Sequence, residues 1–157
     1  FVTEDAGEAG GHLRERGNEF GTTTGRPRRC GWLDLVAARY AVMLNGIRKI
    51  ALTKLDVLDE LAEIPVCVGY RYRGRRYEEI PADLRGLEEA EAVYETVPGW
   101  QTDTRGALEY GDLPAEARSY VERVERALEV EVVVVSTGPR REETIVRGER
   151  IVGGWSS

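Results

Sequence analysis

Residues 21–34, Gly-Thr-Thr-Thr-Gly-Arg-Pro-Arg-Arg-Cys-Gly-Trp-Leu-Asp, concentrate hydroxyls, flexible backbone and guanidinium groups in one short stretch. Gly21 and Gly25 let the backbone turn and approach a ligand closely, while Thr22, Thr23 and Thr24 bring hydroxyl and amide donors. Arg26, Arg28 and Arg29 add forked donors matched to carboxylate or phosphate, and Pro27 fixes one backbone angle between them. The stretch suits an anion clamp. It also suits a solvated basic turn, and composition alone leaves both readings open.

Two further polar stretches follow short apolar runs. Lys54-Leu55-Asp56 comes after residues 49–53, so the pair sits at the carboxyl end of an expected strand, where open α/β sheets place ligands. One carboxylate, such as that of Asp56, can accept from both the ring N–H and the exocyclic amine of guanine, a donor pair that adenine does not present. The stem of Lys54 can lie along a base face with its ammonium in water. A strand-end ion pair with Asp56 as a helix cap accounts for the same residues. Ser136-Thr137-Gly138-Pro139 ends a second run, residues 130–135, and offers backbone groups to a ligand with Gly138 permitting close approach. It also reads as a simple Gly-Pro turn.

Residues 21–34 closely resemble the substrate loop of the adenylosuccinate synthetase family, which joins aspartate to inosine monophosphate (IMP) at the expense of GTP. Residues 49–59 resemble that family's guanine-reading segment. Residues 65–70, 93–100 and 136–139 are similar to later family signatures in the same order. The resemblance covers most of the chain but only the carboxy-terminal part of the family. It implies a mixed α/β fold, a mostly parallel sheet flanked by helices, related to the P-loop NTPases.

The resemblance also implies a division of labour. Thr23, Thr24 and Arg26 match positions that engage aspartate, within a loop completed by Thr22, Gly25, Pro27 and Arg28. Arg26 lies near the IMP ribose, and Arg28 links aspartate and GTP. Lys54, Leu55 and Asp56 contact GTP from one side, and Ser136, Thr137 and Gly138 from the other. Arg29 is a supporting surface charge, Asp59 a helix-start residue, and Trp32 and Trp100 packing aromatics. GTP would phosphorylate the 6-oxygen of IMP and the aspartate amine would displace that phosphate, with Mg²⁺ carrying much of the charge.

No Gly-x-x-x-x-Gly-Lys-[Ser/Thr] loop occurs in the sequence, and His12 does not match the family's catalytic histidine. The resemblance therefore implies no catalytic residue and no metal ligand in this chain, and a partial chain inactive alone. It further implies a cytoplasmic homodimer at full length. Two other classes stand beside it: a non-catalytic module binding GTP or an amino acid, and a plain α/β piece with a basic loop.

The bulk numbers agree with a globular domain. The 157 residues are 41% hydrophobic and 32% charged, with a net charge of −6. That balance argues against general nucleic-acid affinity and makes the basic loop a local feature. Cys30 and Cys67 are far apart and His12 is the only histidine, so no zinc-type spacing exists. The longest apolar run, residues 132–135, is too short to cross a membrane, and the acidic first residues do not resemble a signal peptide. A start at Phe1 is what a partial sequence would show.

One domain portion is expected over residues 1–157. Residues 1–20 form a lead-in, with a short helix over 8–16 interrupted at Gly10-Gly11, and residues 151–157 a loosely held tail. Asp34 caps a helix with apolar positions Leu35, Val36, Ala38, Val42 and Met43, ending at Asn45-Gly46. Strands are expected over 49–53, 64–72, 93–97, 130–135 and 143–147, with a hairpin turn at Arg73-Gly74-Arg75, followed by Arg76-Tyr77. Residues 83–92 read as a charged connection. Residues 101–112 read as a loop that covers or closes a site. Pro114 opens the clearest helix, with Ala117, Tyr120, Val121, Val124 and Leu128 on one face.

Overall fold

Two mixed sheets, packed through a shared core, carry the three polar loops. The computed structural model describes residues 1–80 and 87–147. Part of the charged connection and the whole of the expected tail, residues 151–157, lie outside the described residues.

In the first sheet β3 (Glu63–Tyr72) has partners on both edges. β5 (Glu91–Pro98) runs antiparallel along its length, from Glu63 opposite Pro98 to Arg71 opposite Glu91. The other edge is therefore shared by β1 (Leu33–Asp34), parallel at Val66 and Cys67, and β4 (Arg75–Tyr77), antiparallel at residues 70–72. Arg73 and Gly74 join β3 to β4 with φ of 49° and 74°. Left-handed backbone at both positions matches the twist of a two-residue hairpin, as expected from the sequence.

The second sheet places β6 (Glu131–Ser136) between β2 (Lys49–Leu52), parallel to it, and β7 (Thr144–Val146), antiparallel. Two of the five pairings are parallel and three antiparallel, so the sheets are mixed but not mostly parallel among the described residues. For two of the three antiparallel pairs the cause is connection length. Two residues between β3 and β4, and the short loop 137–143 between β6 and β7, cannot make the crossover that a parallel neighbour needs.

The expected helices form with instructive differences. α1 (Glu8–Arg16) runs unbroken through Gly10-Gly11. A Cβ on Gly10 would lie 1.7 Å from the Asp5 carbonyl oxygen, so this glycine serves a close approach rather than a break. α2 (Leu35–Asn45) is capped by Asp34, whose Oδ1 accepts from the Ala37 N–H at 2.9 Å, and ends at Gly46 with φ of 59°. Met43, expected on its apolar face, is 66% exposed. It continues the row Val36–Tyr40–Met43 at i, i+4, i+7, of which only Val36 is buried.

α3 (Ala115–Leu128) follows Pro114 and buries Ala117, Tyr120, Val121, Val124 and Leu128, the five positions its spacing predicts. They meet Leu35, Leu55, Ile64, Val66, Val132, Val135 and Ile145 in one cluster drawn from both sheets. This cluster is the common floor beneath the loops that leave β2 and β6.

Candidate functional site

The loop at residues 20–27 is closed at its base by backbone alone. The Gly21 N–H donates to the Arg26 carbonyl at 2.8 Å and the Gly25 N–H to the Gly21 carbonyl at 2.7 Å, with Gly25 at φ 63°. Thr22, Thr23, Thr24, Gly25, Arg26, Pro27 and Arg28 are all exposed. The Arg26 N–H reaches Thr24 Oγ1 at 3.4 Å. Among the described residues, neither the Thr22 and Thr23 hydroxyls nor the Arg26 guanidinium has a protein partner.

The second half of the stretch is zipped to the start of the chain. Arg29 forms an ion pair with Glu4, Arg14 Nε donates to the Arg28 carbonyl at 2.8 Å, and the Asp5 N–H donates to the Cys30 carbonyl at 3.0 Å. Trp32 N–H donates to the Thr3 carbonyl at 3.2 Å, and a Cβ on Gly31 would lie 2.1 Å from that same oxygen. Thr3 and Leu13 are buried, so residues 1–20 form the back of the loop as well as leading into it.

Lys54, Leu55 and Asp56 leave the carboxyl end of β2. Lys54 stands in left-handed backbone, φ 62°, and opens a 3₁₀ turn over Leu55–Leu58. The Leu55 side chain is 2% exposed in the shared core, so only its backbone is placed to meet a ligand. Asp56 is half-buried. Loss of hydration, and then the nearby Asp59 carboxylate, push its carboxyl above the ordinary range.

Ser136, Thr137 and Gly138 leave β6 at the same edge, because β2 and β6 are parallel with Leu52 opposite Val135. The 3₁₀ turn packs on β6. Thr137 is fully buried: its N–H and hydroxyl both donate to the Glu143 carbonyl, at 2.8 and 3.2 Å. Ser136 Oγ donates to the Gly138 carbonyl at 2.8 Å. Buried Glu143 holds the turn through the Arg140 N–H at 2.8 Å, and a Cβ on Gly138 would lie 2.3 Å from its carboxylate. Thr137 is therefore committed to the turn, while Ser136 and Gly138 are partly exposed.

Two acids organise these loops, Glu19, which no sequence motif singles out, and Asp59, expected only as a helix start. Glu19 bridges them: its Oε2 accepts from Arg28 Nη1 at 3.1 Å and its Oε1 pairs with Lys54 Nζ. The Lys54 contact, with further help from the charges of Lys54 and Arg28, holds the Glu19 carboxyl below its usual range. An acid two residues before an arginine-rich loop was the available signal. Asp59 is a buried hub rather than a helix start. It follows the 3₁₀ turn and accepts from Trp100 Nε1, the Thr104 N–H and Thr104 Oγ1 at 2.7, 2.9 and 2.9 Å. Its partners are more than forty residues distant in sequence, so no local pattern announces them.

A cavity of about 640 Å³ near the carboxyl ends of α2 and α3 is lined by Arg39, Met43, Arg48 and Glu129 among others, and lies apart from these loops. The described residues contain no group of three or more His, Cys, Asp or Glu side chains placed for a metal ion. They also contain no helix long and apolar enough to cross a membrane.

Comparison with known proteins places this geometry in context. Residues 1–145 match the family model of adenylosuccinate synthetase. The chain is 55% identical over 146 residues to the adenylosuccinate synthetase of Moorella thermoacetica, covering 93% of this chain and 34% of that protein. It is 50% identical over 147 residues to that of Schizosaccharomyces japonicus, with 94% and 34% covered. A solved structure of fully ligated adenylosuccinate synthetase from Plasmodium falciparum superposes with a TM-score of 0.88 at 41% identity, covering 94% of this chain and 36% of that one. The chain spans about a third of the length of these relatives, and it belongs to the adenylosuccinate synthetase family.

Proposed function

We propose that this chain is a carboxy-terminal portion of an adenylosuccinate synthetase, supplying the aspartate clamp and the guanine-reading edge for GTP-dependent ligation of L-aspartate to IMP. The observation that carries this reading is the parallel register of β2 and β6, which delivers Lys54–Asp56 and Ser136–Gly138 to one edge over a common core. Two loops at one edge can grip a planar base from both sides.

The residue chemistry supports the assignment. Asp56 is a half-buried carboxylate whose charge the fold penalises, a liability in a purely structural account and an asset for accepting two N–H donors from guanine. Lys54, two residues before it, is exposed, with its ammonium held by Glu19 and the Gly17 carbonyl. Thr23, Thr24 and Arg26, unengaged among the described residues except for the weak Thr24 contact, suit the carboxylates of aspartate, with Arg26 also reaching the IMP ribose. Arg28 stands between the clamp and the nucleotide. Ser136 and Gly138 meet the base through backbone groups. Thr137 supports them from beneath.

Phosphoryl transfer is assigned elsewhere in the protein. The sequence holds no phosphate-loop motif, and the described residues offer no acidic cluster for the Mg²⁺ that the family resemblance implies. We therefore assign the phosphate loop, the catalytic acid and base, and the Mg²⁺ ligands to a portion outside this chain, and expect no turnover from the chain alone. A cytoplasmic homodimer at full length belongs to the same proposal.

A graft tests it. Residues 1–145 of this chain would replace the matching residues of the Moorella thermoacetica synthetase, and adenylosuccinate formation from IMP, L-aspartate and GTP would be followed. Turnover that requires GTP and is lost in Arg26→Ala is expected. A folded graft that forms no product while its parent does would overturn the assignment.

A further inference from the structure

We propose that Glu19 is a positioning residue that couples the amino-acid clamp to the guanine-reading loop, so that filling one tightens the other. The inference rests on the assignment of those two loops given above. The bridging geometry carries it: one carboxylate oxygen of Glu19 takes Arg28 Nη1 at 3.1 Å and the other takes Lys54 Nζ.

The bridge is launched from fixed backbone. The Glu19 N–H donates to the Arg14 carbonyl at 2.8 Å and the Glu19 carbonyl accepts from the Arg28 N–H at 2.9 Å. Lys54 Nζ donates in addition to the Gly17 carbonyl at 2.6 Å, so the 17–19 turn holds it at two points. Lys54 itself adopts left-handed backbone, which side-chain-bearing residues favour little. Two cations drawn to one carboxylate would repel each other without it.

Stability alone explains little of this arrangement. The Arg28 and Lys54 side chains are 58% and 48% exposed, and ion pairs of that kind contribute little to folding. Position is what the carboxylate controls. An anionic ligand that draws on Arg28 leaves more of Glu19 to Lys54, fixing the ammonium against the base site. A nucleotide that orders Lys54 returns the effect to Arg28, because coupling between two binding sites is reciprocal.

The test uses the full-length graft described above, with the unsubstituted graft as wild type, and calorimetric titration of GTP with and without saturating L-aspartate, and of L-aspartate with and without GTP. Wild type is expected to bind each ligand at least about 5-fold more tightly in the presence of the other. In Glu19→Gln that ratio falls to near one. Lys54→Met, which cuts the link from its other end, lowers it likewise. A merely structural role would weaken both affinities and leave the ratio unchanged. Wild type binding both ligands without coupling, or Glu19→Gln retaining it, would overturn this inference and leave the loop assignment standing. Wild type binding neither GTP nor L-aspartate would overturn the assignment of the loops and this inference with it.

Discussion

The indole Nε1 of Trp100 donates to Oδ1 of Asp59 across 2.7 Å, with both residues buried and forty-one positions apart. Thr104 adds two donors to the same carboxylate, so one acid fixes the loop after β5 against the turn that carries Asp56. Asp59→Ala strands three buried donors and should cost about 2–4 kcal/mol of unfolding free energy, read from urea denaturation. Asp59→Asn keeps one acceptor and should cost less. Equal stability of wild type and Asp59→Ala would show that the clasp does not hold the loop.

Asp56 should trade stability for base reading. Its carboxyl is raised chiefly by lost hydration, so the folded state binds a proton more readily than the unfolded chain. Stability from this group is therefore lost as pH climbs from the ordinary carboxylate value through the raised one. Asp56→Asn removes that loss and should raise the thermal midpoint at pH 7 by about 1–3 °C without ligand, while abolishing any preference for guanine over adenine nucleotides. A lower midpoint would show that the carboxylate is satisfied within the protein.

Arginines of the same loop should behave differently. Arg29 is spent on Glu4 at the surface, so Arg29→Ala should leave both the thermal midpoint and L-aspartate affinity nearly unchanged. Arg26 has no described protein partner, and Arg26→Ala should leave the midpoint unchanged but lower L-aspartate affinity more than tenfold by calorimetry. Similar losses from both variants would mean that the loop acts through net charge alone.

Gly31 carries the seam between the loop and the start of the chain. A Cβ there would meet the Thr3 carbonyl carbon and oxygen at 2.7 and 2.1 Å, backbone atoms that cannot rotate away. Gly31→Ala should cost about 1–3 kcal/mol and expose residues 1–5 to amide hydrogen exchange. Unchanged protection of those amides would place the seam elsewhere.

Much of this structure is legible in the sequence, and the exceptions share a cause. The α3 stripe, the Asp34 cap, the Arg73-Gly74 hairpin and the strand ends that carry Lys54 and Ser136 rest on local spacing and turn chemistry, which act within a few residues. Asp59, Glu19 and the committed role of Thr137 depend on partners brought together only by folding. Gly10 looked like a helix break because its reason for being glycine is the Asp5 backbone pressed against it. Met43 fitted an apolar helical row but lies where that row runs beyond its cover.

The most direct measurement is the thermal midpoint of the chain with GTP, GDP, ATP and no nucleotide, since a ligand that binds only the folded state must raise it. The account predicts a rise with GTP and GDP, none with ATP at equal concentration, and no rise in Asp56→Asn. Equal rises with GTP and ATP, or a GTP rise that survives Asp56→Asn, would contradict a guanine-reading edge formed by Lys54, Asp56 and the loop at Ser136.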